Sequence, residues 1–410
     1  MPKDTQPEPS ALPEDAQPEL SAQLTDQTTQ LIQYAFVSHE SAIDAVWCIA
    51  AKGWPGILDD ENVWLIPLPE SCVHTQKAFK QLDAEVNLSS LGIMGSPVDL
   101  LVPNRSCFSR GKQARFHVWR DYFPDKSFLR VHERVFVSTP NFAILQLATA
   151  RPSSTLERER ARQSAEEDAR IRAELGIGEP ASTPEQLLQW ENISRFAKAT
   201  KALCDFSGTY RYVPSESSTM GFAVDFGRKP MMSPASFLAF IDKMPASKGV
   251  MRARRVAAAA FAGCASPMET LLVLMLTLSV EMGGFGLPRP MINWQVDIDP
   301  EQRDLSSKEE IYGDLCWPKH KLDVEYEGWK DHAGAGPRKV AEDAARQNSL
   351  AALGWTVLRV TAPQVTTQTG LTLLARQVAT ILGSPLREPN DLERIWRSRL
   401  QALLLPPVRE

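Results

Sequence analysis

Tyr312-Gly-Asp-Leu-Cys-Trp-Pro-Lys-His-Lys-Leu-Asp-Val-Glu-Tyr-Glu-Gly-Trp329 is the stretch on which the fold turns. Two short alternating runs flank a Pro-Lys-His-Lys loop, the pattern of a β-hairpin. If Trp317 pairs with Leu322 across that loop, Asp314 falls opposite Glu325 and Tyr312 opposite Glu327. Side chains alternate along a strand. Strict alternation therefore puts Tyr312, Asp314, Cys316, Asp323, Glu325 and Glu327 on one face. Leu315, Trp317, Leu322, Val324 and Tyr326 take the other. One face is a core surface and the other is acidic. Opposed strand residues lie roughly 5 Å apart at Cβ, so like charges there repel. A divalent cation with oxygen ligands would remove the conflict. A solvated acidic face on an exposed hairpin is the alternative.

The surrounding sequence extends the pattern. Ser266-Pro-Met-Glu269 opens an apolar helix running to about Val280. Ser266 is expected as N-cap, Pro267 at the first position and Glu269 as the capping-box partner. Residues 292–298 alternate as a strand, Arg338 to Leu353 is helical with Gly354 beyond its end, and Trp355 to Thr361 is a strand. The order from Ser266 is α-β-β-β-α-β-α. It predicts a mixed sheet with helices on both faces and a βαβ crossover after the hairpin. Helices are expected at 367–382 and 391–405.

The chain as a whole has 410 residues, 43% hydrophobic and 23% charged, with a net charge of −5. Its composition is globular, and the most apolar segment, Leu271 to Val280, is too short to span a bilayer. Six scattered cysteines without metal-ligand spacing suit reduced thiols, and the expected location is cytoplasmic. The divisions read from composition are a disordered tail at 1–26 and a mixed α/β domain at 27–150. A charged helical linker or insertion follows at 151–190, then a helical and loop segment at 191–262, either separate or continuing the mixed α/β domain. The hairpin unit occupies 263–385 and a last helix 386–410. In the N-terminal part a helix is expected at 38–47, strands at 63–66, 98–102, 114–119 and 134–137, and a helix at 140–150. Further on, a helix is expected at 186–204, a loop at 208–212 and a helix start at Ser233.

Two basic clusters stand out. Residues 91–140 carry 8 Lys and Arg against 4 Asp and Glu, including Arg105, Arg110, Lys112 and Arg115, with aromatics interleaved. A second cluster includes Arg252, Arg254 and Arg255. Such residues suit phosphate and base contacts, and a solvated surface is the plainer reading of each. The hairpin unit itself, residues 263–385, carries 11 Lys and Arg and 15 Asp and Glu. A nucleic-acid grip would have to come from elsewhere in the chain.

The order α-β-β-β-α-β, with Asp314 followed by Glu325-Tyr-Glu327, resembles the PD-(D/E)XK nuclease superfamily. Asp-Leu-Cys-Trp-Pro (314–318), Val-Glu-Tyr-Glu-Gly (324–328) and Ala-Ala-Leu-Gly-Trp-Thr-Val-Leu-Arg-Val-Thr (351–361) are similar to domains related to the very-short-patch-repair endonuclease. Ser38-His-Glu-Ser-Ala42 and Val98-Asp-Leu-Leu-Val-Pro103 resemble the abortive-infection antitoxin family AbiEi. The first resemblance implies a restriction-endonuclease-like core and Mg²⁺- or Mn²⁺-dependent hydrolysis of phosphodiesters in nucleic acid, with DNA expected. It implies Asp314 and Glu325 as metal ligands. Glu269 is either an outer ligand or no more than a cap. Glu327 stands where a lysine is usual, which makes it a third ligand or a general base. Lys330 or Lys321 could supply the missing charge, and His332 a proton or nothing beyond a surface imidazole. Asp343 and Arg346, one turn apart on the following helix, are expected to be an exposed i,i+3 pair, with facing the site as the alternative. The second resemblance implies a non-catalytic DNA-binding regulator of antitoxin type, with a toxin or defence protein as partner. A protein-interaction scaffold is the third reading.

Overall fold

In the computed structural model, residues 33–406 are described apart from 53–62, 65–67, 69–70, 94–96, 104–110, 120–122, 150–155, 179–180, 216–221, 299–302, 305, 307–309 and 329–336. The expected tail at 1–26 and the candidates Arg105, Arg110, Lys330 and His332 lie outside the described residues. The chain is an α/β protein with three sheets. No described helix is long and apolar enough to cross a membrane.

The N-terminal elements are β1 (Ala35–Val37), α1 (His39–Ala51), β2 (Val63–Trp64), α2 (Gln76–Val86), β3 (Val98–Val102), β4 (Ala114–Val118), β5 (Phe128–His132), β6 (Val135–Ser138) and α3 (Pro140–Thr149). The strands form one mixed sheet in the order β2-β5-β6-β1-β3-β4. β1 runs parallel to β6, and β3 parallel to β4. The sequence reading passes over β1, α2 and β5. β1 is buried at all three positions, and a strand covered on both faces shows no alternation.

Next come α4 (Leu156–Leu175), α5 (Pro184–Phe206), β7 (Tyr210–Pro214), β8 (Phe222–Phe226), α6 (Pro234–Ile241) and α7 (Lys248–Ala259). Thr183 starts α5 and Ser233 starts α6, each with a reciprocal capping box and Pro in the first turn. The loop expected at 208–212 is instead strand β7, hairpin-paired with β8. Tyr210 and Tyr212 are buried on one side of it while Arg211 and Val213 are half-exposed, so the alternation is present in the sequence. Nor is α4 merely a linker. Its Asp168 is buried, bonded to Arg172 at 2.7 Å and to the Ser182 hydroxyl at 2.8 Å, and faces Arg399 at 3.6 Å. One cluster of buried apolar side chains continues from the N-terminal sheet through α5 into the C-terminal unit.

The C-terminal unit comprises α8 (Pro267–Thr277), β9 (Met291–Gln295), β10 (Tyr312–Trp317), β11 (Leu322–Glu327), α9 (Pro337–Ala352), β12 (Thr356–Thr361), α10 (Ala362–Thr366), α11 (Gln368–Leu382) and α12 (Asp391–Leu404). The sheet order is β12-β11-β10-β9. β10 and β11 are antiparallel with Trp317 opposite Leu322 and Leu315 opposite Val324, the register read from the sequence. β12 joins parallel to β11 after α9, completing the βαβ crossover. On one face Leu315, Trp317, Leu322 and Val324 join the large core with α8. On the other, Cys316 packs with Leu350 of α9, with Leu353 just past the end of that helix and with Trp355.

Alternation fails at one point, and there the sequence reading needs correction. A Cβ on Gly313 would lie 2.4 Å from Asp323 Oδ2 and 2.5 Å from Cys316 Sγ, both on the α9 side. Leu315, two residues on, belongs to the α8 side. Gly313 and Leu315 thus face opposite ways, and the turnover falls at Asp314. The partner strand does the same. Gly313 pairs with Trp294 and Leu315 with Ile292, which pack on the α9 and α8 sides respectively. Asn293 between them is left-handed at φ 46°. Asp314 is therefore not simply one more member of the Cys316 and Glu325 face. Because no side chain fits at 313, Gly313→Ala should cost about 1–3 kcal/mol, as overpacking of a filled interior does. The measurement is the urea unfolding midpoint against wild type.

Candidate functional site

Asp314 stands between two sets of acidic side chains in this sheet: Glu269 on the α8 side, and Asp323 with Glu325 on β11. Glu269 is presented by the first turn of α8, Asp314 by the turnover in β10, and Asp323 and Glu325 by alternate positions of β11. Glu269, Asp323 and Glu325 are all buried. Ser266 caps α8, its hydroxyl accepting from Glu269 N–H at 3.1 Å. Glu269 Oε2 accepts from Ala265 N–H at 2.8 Å, one residue before the position expected for a capping box. Asp314 Oδ2 accepts from Tyr326 N–H at 3.1 Å, which ties β10 to β11 where the side-chain faces change. Cys316 Sγ donates to Asp323 Oδ1 at 3.5 Å.

Burial and mutual repulsion set the protonation of these groups. Desolvation, then the Asp314 charge, raise the Glu269 carboxyl to about 8. Desolvation, then Glu325, raise Asp323 to about 8. Each is a carboxyl beside another carboxyl in a poorly solvated site, where one proton is retained near neutrality. The thiol of Cys316 is pushed far up by burial and by Asp323, and is no nucleophile.

Two arginines answer the acids: Arg346, for which facing the site is the lesser alternative in the sequence reading, and Arg359, which that reading passes over. Arg346 of α9 ion-pairs with Glu325, lies 4.0 Å from Asp323 Oδ2 and donates to the Tyr312 carbonyl. This corrects the expected exposed pair: Asp343 is exposed, but Arg346 turns inward. The signal was present, since Arg346, Leu350 and Leu353 fall at i, i+4 and i+7 on one helical stripe. Arg359 of β12 pairs directly with Glu325 in register and reaches Glu327 at 2.7 Å. Lys321 turns away, its ammonium donating to the Leu353 carbonyl at 2.9 Å.

The donor set fits a hard cation in its chemistry, being all carboxylate oxygen. Glu325 Oε1 is buried against the Arg346 guanidinium, and Asp323 Oδ2 is buried beside it. Among the described residues, no three His, Cys, Asp or Glu side chains converge closely enough to enclose a metal ion. The fit is thus to a cation held by one or two carboxylates, with the rest of its coordination from water and substrate oxygens, the usual manner of Mg²⁺.

The basic candidates are not brought to this site by any described contact. Arg115 is committed elsewhere, to buried Asp99 at 2.9 Å, where His117 Nε2 also sits at 2.8 Å and the Ser41 hydroxyl at 3.2 Å. The parallel register of β3 and β4 puts Arg115 beside Asp99. Arg115 thus serves as a counter-ion to buried Asp99, with a quarter of its side chain left exposed. Lys112 is exposed. Arg252, Arg254 and Arg255 are exposed on α7, with Arg254 bonded to Asp242 at 2.6 Å. Comparison with family models, curated proteins and solved structures finds no match.

The raised carboxyls make stability fall as pH rises. Glu269 and Asp323 take up protons on folding between their ordinary values, 4.5 and 3.8, and about 8. Their contribution is most favourable at acid pH and is lost as pH climbs through 8. Glu269→Gln should flatten that slope in denaturant unfolding from pH 5 to 9. Arg346→Met should cost about 3 kcal/mol at pH 8, as removal of one partner of a buried ion pair does, and less at pH 5.

Proposed function

We propose that the chain is a metal-dependent nuclease acting on DNA, with Asp314 and Glu325 as ligands of Mg²⁺ or Mn²⁺ and Glu269 behind Asp314. The observation that carries this reading is the burial of Glu269, Asp323 and Glu325 about Asp314, more carboxyls than the facing Arg346 balances. An inert fold gains nothing from such an arrangement. A divalent cation bound there supplies polarisation of a phosphoryl oxygen and a water of lowered pKa.

The chain's own groups carry the remaining tasks. The Tyr326 N–H fixes the Asp314 carboxylate. Arg346 holds Glu325. Glu327, in place of the usual lysine, cannot stabilise a pentavalent phosphate by charge. Its ion pair with Arg359 brings a guanidinium to that position, and a guanidinium suits phosphate oxygens in a bidentate manner. Glu327 is then the general base or a further ligand. The alternative, a non-catalytic DNA-binding regulator with a toxin or defence protein as partner, needs none of the acids.

Nicking of supercoiled plasmid with Mg²⁺ or Mn²⁺ is the direct assay. Wild type should cleave, Asp314→Ala and Glu325→Ala should lose at least about 100-fold, and Arg359→Ala should lose about 10–100-fold, the scale of removing a charge-stabilising donor. Equal activity in wild type and Asp314→Ala would overturn the nuclease reading. For the grip, charge reversal of Arg252 and Arg255 should weaken DNA binding and reduce the slope of log K against log salt by about 0.9 per lost phosphate contact. Unchanged binding and slope would remove α7 from the interface.

A further inference from the structure

A cavity of about 750 Å³ lies among α1, α5, α10 and α12, on the side of β11 away from Glu325. Its walls are largely apolar, with Ile43, Leu147, Met268 and Tyr326 among them. Five charged side chains also face it: Glu40, Asp44, Lys198, Lys201 and Asp205. Four of them are spoken for. Lys198 pairs with Glu40 at 2.7 Å and Lys201 with Asp205 at 2.6 Å. Asp205 is further anchored by the Tyr210 hydroxyl, which also meets Thr270 at 2.9 Å. Asp44 is left as the surplus charge, making the lining three acids against two lysines.

Asp44 is exposed to solvent where it lines the cavity. Burial, then the charges of Glu40 and Asp99, raise its carboxyl to about 6, and Lys201 offsets this only in part. A carboxylate so placed gains its charge as pH rises above the ordinary carboxylate range. A cavity of this volume suits a small organic molecule, and apolar walls with few polar groups are the usual make-up of such sites.

We propose that this cavity binds a small organic cation, with an apolar or aromatic body against Met268 and Tyr326 and an ammonium or guanidinium group on Asp44. The two lysines, held by their own carboxylates, exclude an anion of the same shape, since its charge would displace an existing ion pair. The site does not depend on nuclease activity, and its test is direct binding to the full chain.

Three probes share one body and differ in charge: tryptamine, 3-ethylindole and indole-3-propionate. Isothermal calorimetry at pH 7 should show tryptamine binding at least about tenfold tighter than 3-ethylindole, the scale of one charge-assisted hydrogen bond. Indole-3-propionate should bind weakest. Between pH 5 and pH 7 the affinity for tryptamine should rise about tenfold as Asp44 ionises. Asp44→Asn, checked for an unchanged melting temperature without ligand, should bring tryptamine down to the level of 3-ethylindole. Absence of binding by all three, preference for the anion, or an unaltered tryptamine affinity in Asp44→Asn would each overturn the proposal. The three-probe comparison on wild type stands whether or not the variant folds.

Discussion

Repulsion among carboxylates in a dry interior is the constraint around which the C-terminal unit is arranged. Glu269, Asp323 and Glu325 are buried, Asp314 bridges β10 and β11, and Arg346 supplies the nearest counter-charge. Charge transferred from water into protein is costly unless paired or neutralised. The fold meets that cost in three ways. Protons stay on Glu269 and Asp323, a guanidinium sits on Glu325, and backbone N–H groups point at Glu269 and Asp314. The absent side chain at Gly313 follows from the same crowding, because Asp323 occupies the space a Cβ would need.

Much of the unit was legible. The turn residues fix the hairpin, its register follows from pairing Trp317 with Leu322, and the helix–strand order around it follows from caps and periodicity. The faces were less so. Strict alternation puts Asp314 beside Cys316, but a left-handed Asn293 on the neighbouring strand accompanies a change of face. That residue's conformation is set by tertiary pairing and leaves no mark in the local pattern. Arg346 shows the opposite failure. Its stripe with Leu350 and Leu353 is plain in the sequence, but its charge made a surface reading natural.

The N-terminal half was harder to read for a related reason. Arg115 looks like a basic surface residue until β3 and β4 pair, when Asp99 sixteen positions earlier becomes its partner. A basic cluster counted along the chain therefore overstates the charge offered to a ligand. Likewise β1, buried throughout, has too few residues and no polar face to announce it. The continuous apolar core between the halves could not be read from composition, since packing across 150 residues has no local signature.

Protons displaced by a cation give the most direct measurement of the central claim. Calorimetric titration of Mg²⁺ into the chain at pH 7.5, in two buffers of different ionisation enthalpy, counts the protons released on binding. Release of about one proton per ion in wild type, falling in Glu269→Gln, is the expected result. Binding with no buffer dependence, or no binding in the millimolar range, would contradict it.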